Sequence, residues 1–94
     1  MRVTQTPTFH RAYKKLHKRQ RNIVDEAIKE IMKNPALGEL KTGDLPDFRV
    51  HKFRDGRLQL LLAYNYEPSV GLQLRDLGSH ENFYRDLKRK GPRS

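Results

Sequence analysis

Apolar positions in the first third of the chain recur at helical spacing. Phe9, Ala12, Tyr13 and Leu16 form one stripe. The polar stretch 17–22 interrupts it, and it resumes as Ile23, Val24, Ala27, Ile28, Ile31 and Met32. The spacing predicts helices over 8–17 and 20–33, folded as a hairpin with one apolar side. One long bent helix satisfies the same pattern. Pro7 suits the first turn of the first helix. Asn34-Pro35 ends the second, because the residue before a proline is pushed out of the helical region. Ahead of both, Val3 and Gln5 alternate with Arg2 and Thr4, which reads as a short strand over 2–5.

Residues 36–47 carry two glycines, one proline and three acids and read as a loop, with a short strand at Glu39–Lys41. Asp55-Gly56 then lies between two β-like runs, 48–54 and 57–66. This is the chemistry of a two-residue hairpin turn in which both central residues take positive φ. Glu67-Pro68-Ser69 turns the chain into a third run, 70–77. Ser79 is a candidate N-cap for a last helix over 80–90, with Glu81 in its first turn, and 91–94 form a loose tail. The expected fold is α+β: an N-terminal helical hairpin packed on one face of a small, largely antiparallel sheet, with a short C-terminal helix, as one domain over 1–94.

A turn at Asp55-Gly56 sets a register in which Arg54 faces Arg57, Phe53 faces Leu58 and Lys52 faces Gln59. One sheet face then holds Arg49, His51, Phe53, Leu58, Leu60, Leu62 and Tyr64 and should pack on the helices. The other holds Phe48, Val50, Leu61 and Ala63 at one end and Lys52, Arg54, Arg57 and Gln59 at the other. In the third strand, Leu72 and Leu74 belong to the core, which puts Gln73 and Arg75 on the cationic face. A solvated face carrying lysine and arginine is the ordinary reading of such a patch. Three cations without an acid argue for more, as do His80 and Tyr84, which share one side of a helix at i and i+4. His51 falls on the helix-facing side as a structural residue, although a bulge near Arg54-Asp55 would turn it to the other face. His10 and His17 read as surface residues, and four histidines without a carboxylate cluster make no metal site.

Composition narrows the partners. The chain has 94 residues, 20 Lys+Arg against 11 Asp+Glu, and a formal charge of +9. Such a bias points to polyanions: nucleic acid or an acidic protein. Leu, Ile, Val and Phe number 23, about 24% of the chain and above the roughly 20% level where disorder becomes the better reading. Cysteine is absent, which excludes disulfides and thiolate chemistry and fits a reducing, cytoplasmic setting. No apolar run reaches the roughly 18 residues of a spanning helix, and the first residues lack the apolar core of a secretory signal.

The helical hairpin, the run from Leu40-Lys41 through Asp44 to Arg54, the strand Leu60-Leu61-Leu62-Ala63-Tyr64 and the ending Gly78-Ser79-His80-Glu81-Asn82-Phe83-Tyr84 together resemble the RelE/ParE superfamily of bacterial type II toxins. The resemblance spans nearly the whole chain and is nearest to the RelE and YafQ branches. It implies a ribosome-dependent mRNA interferase, needing no cofactor, restrained by a cognate antitoxin. On that resemblance Lys52, Arg54, His80 and Tyr84 are the catalytic candidates, with Glu39 and His51 as further candidates for the base. Arg57, Gln59, Arg75, Lys14, Lys18, Arg85 and Lys88 are candidate RNA contacts, on mRNA and on ribosomal RNA in the A site. Two positions depart from the family pattern: Gln59 stands where the YafQ branch has an acid, and Leu61 where RelE commonly has an arginine.

The residues suit the implied chemistry. A histidine titrates near neutrality and can move a proton. Lysine and arginine stabilise phosphorane charge, often the largest catalytic contribution. A tyrosine can stack on a base, worth roughly 1–3 kcal/mol. Two other functions remain open: a ParE-like inhibitor of DNA gyrase, and a catalytically inactive basic RNA-binding member. An acidic, partly disordered antitoxin segment would suit the +9 surface and the apolar end of the open face.

Overall fold

The computed structural model describes residues 1–42 and 47–79. The elements run β1 (Val3–Gln5), α1 (Pro7–Lys14), α2 (Lys18–Lys33), β2 (Glu39–Lys41), β3 (Phe48–Asp55), β4 (Leu58–Glu67) and β5 (Gly71–Ser79). The fold is α+β, with two helices and a five-stranded sheet in the order β1-β5-β4-β3-β2. Strands β2 to β5 form an antiparallel meander, and β1 lies parallel to β5, so the sheet is mixed. The helix expected over 80–90 lies outside the described residues.

Local chemistry sets the helix ends. The Thr6 hydroxyl accepts from the Phe9 amide and Pro7 fills the first turn of α1. Residue His17 is extended (φ −65°, ψ 157°), so the interrupted stripe is two helices and not one bent one. Helix α2 closes at Asn34, whose φ of −146° and ψ of 87° are the non-helical values expected before Pro35.

The stripe packs as its spacing predicts. Phe9, Val24 and Ile31 join Leu62, Tyr64, Leu72, Leu74 and Leu77 in one core between the helices and the sheet. Met32, the last apolar residue of the stripe, is exposed. Leu74 and Leu77 share a face at an odd spacing because β5 bulges. Ala63 pairs with Asp76 and Tyr64 with Leu74, which leaves Arg75 as the extra residue and resets the alternation. Tyr64 is fully buried; its hydroxyl donates to the Pro35 carbonyl and accepts from the Gly38 amide, both at 2.8 Å. Arg49 donates to the Gly38 carbonyl at 2.8 Å, so two side chains of the sheet fix the loop that leads into β2.

The hairpin register differs from expectation. Arg54 pairs with Gln59, not Arg57, and Asp55 pairs with Leu58 inside the ladder. The two-residue loop is therefore Gly56-Arg57. Gly56 takes φ 62° and no described non-glycine residue has positive φ, the pattern of a turn with glycine at its first central position. Asp55 is free to stay in the strand because glycine alone accepts the strained conformation. Arg54's partner moves by two residues, and an even shift leaves every side chain on its predicted face. Only Arg57 changes place, from the face to the turn. On the face away from the helices, Val50, Leu61 and Ala63 are already buried with Phe48 packed against them, so this end is not the open apolar landing expected for an antitoxin segment.

Candidate nucleic-acid interface

Strand β3 runs between β4 and β2 and is held by ladders on both sides. Alternation along it puts Lys52 and Arg54 on the face away from the helices, opposite Leu61 and Gln59. Both are exposed, as is Arg57 in the adjoining turn. Ion pairs among the described residues join Arg19 to Asp55, Lys29 to Glu26 and Lys41 to Glu39. None engages Lys52, Arg54 or Arg57, so three uncompensated charges stand at one end of a rigid sheet. Such a cluster attracts a polyanion.

Glu39 lies on the same face. It pairs with Val50, two residues from Lys52 on β3, and such diagonal neighbours are within reach of long side chains. Its carboxylate meets the Lys41 ammonium at 3.2 Å. Arg75 occupies the bulge toward the far end of the face. Its guanidinium donates to Asn65 at 3.0 Å and to Gln73 at 3.5 Å, and the Asn65 amide donates to the Asp47 carbonyl at 2.6 Å. Both partners are neutral, so Arg75 is oriented without losing its charge. It helps line a broad, open concavity of about 970 Å³ with Thr4, Phe48, Asn65, Gln73 and Asp76.

Residues 3–88 match the sequence profile of the ParE-like toxins of type II bacterial toxin-antitoxin systems. The chain belongs to this family. Among solved structures, the intact E. coli RelBE toxin-antitoxin complex contains a similar chain with a TM-score of 0.68 at 19% identity, covering 84% of this chain and 95% of that one. The isolated E. coli RelE toxin gives a TM-score of 0.65 at 19% identity, covering 93% and 95%. At that identity the likeness is one of fold. No curated protein sequence matches the chain. The RelE/ParE resemblance read from the sequence is therefore correct.

The toxin's other candidate residues are dispersed. His51 faces the helices, stacked on Phe53 with ring centroids 5.7 Å apart. The β3–β4 ladder has no bulge that would turn it, so it stands across the sheet from Lys52 and Arg54. Burial lowers its pKa below the ordinary 6.5, with Glu30 on α2 opposing the shift. Lys14 and Lys18 are exposed on the helical layer and not on the open face. His80, Tyr84, Arg85 and Lys88 lie outside the described residues. No group of three or more potential metal ligands occurs among the described residues, and no described helix is long and apolar enough to cross a membrane.

One residue of this toxin escaped the sequence reading. Asp55 serves there only as a turn former, yet its side chain is 5% exposed. One carboxylate oxygen meets the Arg19 guanidinium at 2.9 Å and the other accepts from the Gln20 amide at 3.1 Å. The available signal lay in α2. Its first turn holds no acid and His17 makes no side-chain cap, so the positive end of the helix lacks a local partner.

Proposed function

We propose that this toxin is a ribosome-dependent mRNA endonuclease. The observation that carries the reading is the pair Lys52 and Arg54, adjacent on one face of an internal strand, exposed and unpaired with any described carboxylate. The 2′-hydroxyl attacks the neighbouring phosphorus, the P–O5′ bond breaks, and the products are a 2′,3′-cyclic phosphate and a 5′-hydroxyl. This route needs no metal. Lys52 and Arg54 hold the phosphate and stabilise the charge that grows on it; removing one such donor costs about 10²–10³ in rate. Glu39 and His80 are the candidates for proton transfer and Tyr84 for stacking on a base. Arg57, Gln59 and Arg75 extend the contact along the message. Lys14, Lys18, Arg85 and Lys88 grip ribosomal RNA, a contact that weakens steeply with salt. A cognate antitoxin with an acidic, partly disordered segment restrains the toxin, as RelB partners RelE in the E. coli complex.

The family's ParE-like designation supports a second reading, inhibition of DNA gyrase. Induction in bacteria with mapping of mRNA 5′ ends separates the two. Cuts within translated messages that disappear in a Lys52→Ala/Arg54→Ala variant support the endonuclease. Growth arrest with intact messages and relaxed plasmid DNA refutes it in favour of gyrase.

A further inference from the structure

The tip of the β3–β4 hairpin is exposed over Gly56, Arg57 and Leu58. It carries two like charges, Arg54 and Arg57, in close succession. What ties this tip to the body through side chains is Asp55, the buried charged residue of the described structure. Its carboxylate reaches across to α2, 36 residues earlier in the chain at Arg19 and 35 at Gln20. Arg19 itself is open to solvent, with 76% of its side chain exposed.

A half-buried ion pair of this kind is a poor source of stability. The desolvation of the carboxylate offsets much of the attraction, and apolar replacements of such pairs are often neutral or stabilising. A directional clasp fixes geometry instead. Two oxygens bound to two different side chains leave the end of β3 little freedom to twist or slide against α2. Arg54 precedes Asp55, and Arg57 follows it by two residues, so their orientation depends on that anchor.

We propose that Asp55 is a positioning residue for substrate RNA: clasped by Arg19 and Gln20, it locks the hairpin tip so that Arg54 and Arg57 are presented together to the phosphates of a single strand. This rests on the RNA-cleaving reading above. Asp55 touches no substrate and acts through its two neighbours. The electrostatic consequence runs the same way. The carboxylate sits on the helix side of the sheet, where Arg19 neutralises it, and leaves the field of Arg54 on the open face and of Arg57 in the turn undiminished.

The test uses the full chain from cell-free synthesis and hexauridylate as the probe. Asp55→Asn keeps the shape of the side chain and removes its charge. The expected result is a folded variant with about tenfold weaker hexauridylate affinity and faster amide hydrogen exchange at Gly56 and Arg57. Arg19→Gln, altered at an exposed position, breaks the clasp from the other side and should lose affinity to the same degree; the double variant should lose no more than either single one. Tyr64→Phe serves as the control, since it weakens the fold far from the tip. It should lower Tm and leave affinity unchanged. Affinity within twofold of wild type in either clasp variant overturns the proposal. So does a loss in Tyr64→Phe that tracks its fall in Tm, or a wild-type protein without measurable affinity for hexauridylate. Mapping of mRNA ends separates this from the wider reading: uncut messages sink the endonuclease, while an Asp55-dependent affinity still assigns the clasp to RNA binding.

Discussion

Replacing Tyr64 by Phe isolates one hydroxyl in a fully buried site. That hydroxyl accepts from the Gly38 amide and donates to the Pro35 carbonyl. Phenylalanine fills the same volume, so no cavity forms and the change is confined to hydrogen bonding. The Gly38 amide is buried and loses its acceptor outright, at a cost of about 1–3 kcal/mol. The Pro35 carbonyl is nearer the surface and recovers part of its bond from water. Arg49 continues to hold the Gly38 carbonyl. The expected loss is about 2 kcal/mol, or roughly 8–16 °C in Tm for a domain of this size. The pH dependence gives a second check. Burial raises the Tyr64 pKa above its ordinary 10, with the Gly38 amide and Arg49 pulling the other way. A folded-state pKa above the unfolded one means that the unfolded chain loses its proton first as pH rises. The stability tied to the neutral phenol is complete below pH 10 and declines as pH climbs toward the folded value. Phenylalanine has no such decline, so the gap between variant and wild type should narrow above pH 10. Tyr13 is raised too, first by its hydrogen bond to Asp25, but it is common to both proteins. Urea denaturation at pH 8 and pH 10.5 measures both effects. A loss under about 0.5 kcal/mol, or a gap that is constant with pH, would refute the assignment of Tyr64 as the latch of the β2 loop.

Two further outcomes follow from the fold. Gly71 has φ 114°, and a Cβ there would run into the Arg2 carbonyl that accepts from the Leu72 amide. Gly71→Ala should therefore cost more than 1 kcal/mol and release β1 from the sheet, seen as fast amide exchange at Leu72 and Leu74; protected amides would count against it. The His51 pKa is lowered by burial, so the unfolded chain gains the proton first on acidification. The stability tied to neutral His51 is complete above pH 6.5 and is lost as pH falls toward the folded value. His51→Gln should have a flatter stability profile between pH 7.5 and pH 5, and identical profiles would show that His51 is not buried neutral.

The sequence was most legible where structure is local. Helical spacing located both helices, and Pro7 and Asn34-Pro35 bound them through contacts within a few residues. The sheet faces were legible for a different reason. Alternation has a period of two, so a register mistaken by two residues still put Lys52 and Arg54 on the open side and His51 on the helix side. The register itself failed because Asp55-Gly56 and Gly56-Arg57 offer competing two-residue turns, and the choice depends on what else Asp55 can bind.

By itself the sequence determined the class of fold and the cationic open face, because period and charge are properties of the chain in order. Tertiary structure decided the rest. It set β1 beside β5, brought Glu39 diagonally next to Lys52, bulged β5 at Arg75 and drew Asp55 onto Arg19 and Gln20. Each of these joins residues distant along the chain or depends on which strand lies alongside. Their free energies rest on burial and on the pairing of groups that meet only once the helices cover the sheet.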